Sequence, residues 1–120
     1  MTALEQYVAG WRNHDAAAIL EVLTPDCIVI ESFGPVYRGH DVIAQWVSTW
    51  LAEDGRVLDW TIHELRSMGD VQIADWTFHY SWRGKENTFD GATIAKLHDG
   101  KIAYLREYAT TAPLYDWQGL

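Results

Sequence analysis

Asp75-Trp76-Thr77-Phe78-His79-Tyr80-Ser81-Trp82 alternates strictly, with large aromatics at 76, 78, 80 and 82 and small or polar residues between them. Successive side chains on a strand point to opposite faces, so this segment presents a continuous aromatic wall on one side. Four large rings in a row make either an unusually aromatic core or one wall of a cavity for a flat, apolar small molecule.

The period of two extends outward from this segment. From Arg56 onward, Leu58, Trp60 and Ile62 share a face, and Gly69-Asp70 makes a turn before the aromatic strand. Arg83-Gly84-Lys85 turns the chain again, and a strand follows from about Thr88 to Leu97. His98-Asp99-Gly100-Lys101 reads as a tight hairpin, leading to a last strand from Ile102 to Ala109. Upstream the period is helical. Thr2 caps a first helix with Leu4, Tyr7, Val8 and Trp11 on its apolar face, ending near Asn13-His14. Asp15 caps a short second helix running through Leu23, which Thr24-Pro25-Asp26 stops. Cys27 to Glu31 reads as a strand, and Gly34-Pro35 and Arg38-Gly39 mark a loop. His40-Asp41 then opens a third helix with an apolar stripe of Val42, Ile43, Trp46, Val47, Trp50 and Leu51. Helices first and a meander afterwards predict one α+β domain over residues 1–120. Three N-terminal helices pack on one face of a curved, mostly antiparallel sheet.

Bulk composition narrows the partners. At 120 residues, with 48% hydrophobic and 22% charged residues, the chain is an ordinary globular domain with room for one real core. A formal net charge of -8 argues against nucleic acid or an anionic membrane as a partner. No apolar run approaches the roughly 20 residues that span a bilayer, and Met1 to Glu5 lead straight into a helix pattern rather than a leader. The single Cys27 fits a reducing, cytoplasmic setting and reads as a buried, inert thiol. Metal-binding spacings, phosphate loops and a nucleophile elbow are missing, so no metal and no cofactor are expected.

In order, "YVAGWRNHDAAAILEVLTPDCIVIES", "GPVYRGHDVIAQWV" and "HDGKIAYLREY" resemble the SnoaL-like, ketosteroid-isomerase-like branch of the nuclear transport factor 2-like superfamily. The resemblance covers essentially the whole chain. It implies a cone-shaped α+β barrel, a deep pocket between helices and concave sheet, and a homodimer formed through the convex sheet face. It implies no single activity, because isomerases, dehydratases, cyclases and non-catalytic binders share the scaffold.

The resemblance also marks three candidate catalytic residues. Glu31 matches the position of a general-base carboxylate, and an aromatic cavity would raise its pKa toward a useful range. The bland reading is a solvated acid at a strand end. Tyr7 matches a tyrosine that donates to a developing oxyanion, although a core tyrosine on an amphipathic helix would look the same. The second acid of a steroid isomerase falls at about Thr93 here or is absent, which argues against that one activity.

Glu107 shares a face of the last strand with Ala103, Leu105 and Ala109, the set that the resemblance turns inward. There it either pairs with an arginine or stands in the cavity beside Glu31, where mutual repulsion splits the two titrations into one base and one acid. The ligand-binding wall combines Trp11, Trp46, Trp50, Trp60, Trp76, Phe78 and Tyr80 with Thr93 and Leu105. Phe33, Tyr115 and Trp117 are candidates for a lid, and His63 and His79 fall on the opposite, convex side with Asp59, Asp75 and Thr77.

The expected function is that of a small-molecule pocket protein. It is either an acid–base enzyme of the isomerase, dehydratase or cyclase type acting on a small hydrophobic or aromatic carbonyl compound, or a non-catalytic binder of an apolar molecule. A dimerising structural module is the third reading.

Overall fold

The computed structural model describes residues 1–119. Three helices, α1 (Ala3–Arg12), α2 (Ala16–Glu21) and α3 (Gly39–Ala52), accompany six strands: β1 (Leu23–Ile30), β2 (Val36–Arg38), β3 (Arg56–Met68), β4 (Val71–Trp82), β5 (Lys85–His98) and β6 (Lys101–Ala109). The strands form one sheet in the order β2-β1-β6-β5-β4-β3. Every neighbouring pair is antiparallel except β1 and β6, which run parallel. This is the expected α+β class with three helices and a mostly antiparallel sheet. The parallel β1–β6 pairing is an addition to the expected meander.

Local chemistry sets the helix ends. Thr2 and Glu5 form a capping box: the Thr2 hydroxyl accepts from the Glu5 amide, and the Glu5 carboxylate accepts from the Thr2 amide. The Leu4 amide, one turn-end donor with no partner inside the helix, donates instead to the buried Gln72 side chain of β4 at 3.0 Å. Asp15 caps α2, as its position suggests. That helix ends at Glu21, however, and β1 begins at Leu23, earlier than the Thr24-Pro25-Asp26 stop implies. Leu23 pairs with Ile102 and the register then slips, so the Pro25 region is a bulge in a strand rather than a break before one. The His40 ring sits 2.9 Å from the Leu23 carbonyl and ties the start of α3 to this strand.

Two more bulges overturn the simple alternation. Between Val57 and Asp59 the β3–β4 register shifts, leaving Leu58 47% exposed while Val57 and Trp60 turn inward. Leu58 therefore does not share a face with Trp60. On β6 a shift opposite Lys96 and Leu97 turns Ile102 into the core, where Ala103 was expected. Strict parity fails at both places because a bulge adds one residue to a period of two. On α3, Val42 faces solvent rather than the core.

The core lies between the helices and the inner sheet face. Its fully buried members are largely aliphatic: Leu4, Ile19, Val29, Ile43, Val47 and Leu105. Cys27 is buried among them, with burial pushing its thiol pKa up. Among the described residues, no helix is long and apolar enough to cross a membrane.

The Gln72 contact is a buried polar tie between α1 and β4. Gln72→Ala leaves the Leu4 amide without a partner, and we expect it to cost about 1–3 kcal/mol. Urea unfolding measures this; an unchanged midpoint would show that the contact contributes nothing.

Candidate active site

The aromatic strand forms one wall of a cavity of about 380 Å³ between the sheet and helices α1 and α3. Along β4 the rings grade from floor to mouth. Trp76 is 2% exposed, Phe78 and Tyr80 are half-buried, and Trp82 is 36% exposed. Trp60 of β3 stands edge-on to both Trp76 (5.5 Å) and Phe78 (5.0 Å), and Phe78 stacks on Tyr80 at 5.1 Å. Edge-to-face pairs add about 0.5–1.5 kcal/mol beyond area burial and hold rings at fixed angles.

The helices supply Tyr7 and Trp11 from α1 and Trp46 and Trp50 from α3. Two glycines make room for these rings. A methyl group at Gly91, the residue paired with Trp76 across β4–β5, would collide with the Trp76 ring and the Tyr108 carbonyl. One at Gly55 would collide with the Trp50 ring.

Of the expected wall, Trp11, Trp46, Trp50, Trp60, Trp76, Phe78 and Tyr80 all line this cavity. Thr93 and Leu105 do not. Leu105 is wholly buried in the aliphatic core, paired with Val29 of β1. Thr93 lies beneath the wall, where its hydroxyl accepts a 2.8 Å hydrogen bond from the Trp76 indole and fixes that ring. Phe33 stands at the rim against Phe89 at 5.9 Å. Tyr115 and Trp117, in contrast, are exposed and lie outside the lining, so the tail does not cover the mouth.

The three candidate catalytic residues, Glu31, Tyr7 and Glu107, line the same cavity. Topology accounts for the two acids. Val29 pairs with Leu105 in the parallel β1–β6 ladder, and parallel strands advance in step. Two residues further on, the chain reaches Glu31 on one strand path and Glu107 on the other, both past the last apolar pair of the inner face.

Glu31 accepts a 2.9 Å hydrogen bond from the Tyr37 hydroxyl. The Tyr37 ring is itself stacked flat on Trp46, at 3.9 Å and 9° between planes, so the donor's position is set by packing. Glu107 has no hydrogen bond or ion pair with another side chain among the described residues, which removes the reading that it pairs with an arginine.

Electrostatics separates the two carboxyls. Burial pushes Glu107 up to about 8, and the neighbouring Glu31 charge adds to the shift. Burial also raises Glu31, but the Tyr37 hydroxyl pulls it back by bonding to the ionised form. The Tyr37 hydrogen bond favours the ionised form of Glu31, and Glu107, pushed up to about 8, is the carboxyl that keeps a proton at neutral pH. Tyr7 is raised well above the ordinary tyrosine value, first by burial and then by the Glu107 charge, and stays a neutral donor. Its hydroxyl and the indole N–H groups of Trp11 and Trp60 are buried without hydrogen-bond partners.

Tyr37 is a cavity side chain that pattern reading misses. In the sequence it falls between the Gly34-Pro35 and Arg38-Gly39 turn signals, and its strand β2 is too short for a period to show. Among the described residues, no group of three or more His, Cys, Asp or Glu side chains comes together as a metal site. His63 and His79 are on the outer face, hydrogen-bonded to Thr77 at 2.7 Å and Glu86 at 3.1 Å.

The Glu107 shift has a consequence for stability. The folded chain holds a proton that the unfolded chain releases above about 4.5, so the contribution of protonated Glu107 is full below 4.5 and is lost as pH rises through about 8. Glu107→Gln should therefore raise the thermal midpoint above pH 8 and leave it unchanged below 4.5. A pH–midpoint curve parallel to wild type would refute this.

Comparison with known proteins agrees with the fold. The model of the SnoaL-like domain matches residues 4–105. No curated protein matches the chain. A Catenulispora acidiphila hypothetical protein with a ketosteroid isomerase-like fold, in complex with trimethylamine, superposes with a TM-score of 0.79 at 17% identity, over 92% of this chain and 88% of its own. The M. tuberculosis LEH-like epoxide hydrolase gives 0.80 at 18% identity, over 90% and 80%. TerC, co-crystallised with polyporic acid, gives 0.75 at 22% identity, over 91% and 89%. At these identities the likeness to solved structures is one of fold. The family match spans most of the chain, and this protein belongs to the SnoaL-like domain family.

Proposed function

We propose that this chain is a small-molecule pocket protein whose Glu31 and Glu107 act as a cofactor-independent acid–base pair on a small hydrophobic or aromatic carbonyl compound. The observation that carries this reading is the pairing of two carboxyls in one aromatic cavity, one held by Tyr37 and the other free of any side-chain partner. Small organic molecules held by proteins of the same fold, trimethylamine and polyporic acid, support the pocket as a ligand site.

In this reading the substrate lies against the β4 rings. The Glu31 carboxylate removes a proton from the carbon next to the carbonyl, and the electron pair moves onto the carbonyl oxygen. Glu107, protonated, donates to that oxygen, with the Tyr7 hydroxyl as a second donor. Such preorganised donors are each worth about 3 kcal/mol in a water-poor site. Return of the proton at another carbon is an isomerisation; alternatively the carbonyl re-forms, the enol proton goes back to Glu107, and a β-hydroxyl leaves as water with the proton Glu31 holds, which is a dehydration. A homodimer through the outer face of β3, β4 and β5, which carries His63, Thr77 and His79, is part of the same proposal.

Enone and polyketide-like carbonyl compounds are the substrates to test. Glu31→Gln should lower turnover by about 10²-fold or more, while quenching of tryptophan fluorescence by the substrate is retained. Equal turnover in wild type and variant removes Glu31 from the mechanism. Binding without turnover in either protein favours a non-catalytic binder.

A further inference from the structure

The cavity lining divides sharply by residue type. Twelve of its residues are aromatic, three are glutamates, and the other two are Ser32 and Thr49. Among the described residues none of the lining is aliphatic, and none is Lys, Arg or His. The chain does not lack aliphatic residues; it places Leu4, Ile19, Val29, Ile43 and Leu105 in the core, fully buried away from the cavity. A neutral aliphatic ligand gains as much from Leu or Val walls as from rings. What ring faces add is negative potential, which attracts a cation and repels an anion.

The charges agree with the walls. Glu53 at the mouth is already paired with Arg83 at 3.3 Å. Among the described residues Glu31 is not paired with a cation; its side-chain partner is the Tyr37 hydroxyl. The protein also shows a cation on this aromatic rim, since the Arg83 guanidinium lies 4.3 Å from the centre of the Trp82 ring. We propose that the cavity selects compact organic ammonium ions, seated on its tryptophan and tyrosine faces with Glu31 as counter-charge. The proposal rests on the cavity being a ligand site, as above, but not on proton transfer. An ammonium ion beside Glu31 competes there with a carbonyl substrate. A volume of about 380 Å³ accommodates a trimethylammonium head with a short chain.

Three probes of matched shape test this on the whole chain by calorimetry and tryptophan fluorescence. They are choline, its neutral isostere 3,3-dimethylbutan-1-ol, and the anion 3,3-dimethylbutanoate. Choline should bind at least about tenfold more tightly than the neutral isostere, and the anion should not bind. The preference for choline should shrink in Glu31→Gln. Equal or tighter binding of the neutral isostere overturns the proposal while leaving the pocket reading intact. A preference that is undiminished in Glu31→Gln also overturns it, because Glu31 is then not the counter-charge. If neither the three probes nor the carbonyl panel bind, the pocket reading fails and this proposal fails with it.

Discussion

The parallel pairing of β1 with β6 is the constraint on which the rest of this site depends. Antiparallel neighbours meet head to tail, but parallel neighbours keep step, so equal advances beyond Val29 and Leu105 bring Glu31 and Glu107 to the same end of the inner face. That end opens into an aromatic cavity, where hydration is poor and two adjacent negative charges are costly. One carboxyl must keep its proton. The Tyr37 hydroxyl decides which, because it bonds Glu31 and leaves Glu107 without a comparable donor.

The aromatic wall is the second structural commitment. The rings line the space between helices α1 and α3 and the inner sheet face, and that space is the cavity. Its shape is held from behind. Thr93 hydrogen-bonds the Trp76 indole, Gly91 lets that ring lie across the β5 backbone, and Gly55 gives Trp50 the same room. These residues touch rings, not the space inside them. Thr93 therefore acts as a support of the wall and not as part of its surface.

Much of this was legible in the residues. Strict alternation at 75–82 identified the wall, helical spacing identified Tyr7, Trp11, Trp46 and Trp50, and family resemblance drew Glu31 and Glu107 together. The errors have specific causes. Bulges at Leu58 and near Ala103 break a parity argument that assumes an uninterrupted ladder. Thr93 and Leu105 point inward, as parity says, but inward here means a core layer as well as a cavity. Tyr37 sits on a three-residue strand, too short for any period to show. Parallel pairing of β1 and β6 joins segments far apart in sequence, and no local pattern reports it.

The central claim is that Glu107, not Glu31, is the carboxyl that holds the proton at neutral pH. Carbon-13 NMR of the glutamate side-chain carboxyls, titrated with pH, tests it most directly. Glu107 should titrate near 8 in the wild type and move down in Glu31→Gln, while burial keeps it above 4.5. A Glu107 signal titrating near 4.5, or one unmoved by Glu31→Gln, would contradict it.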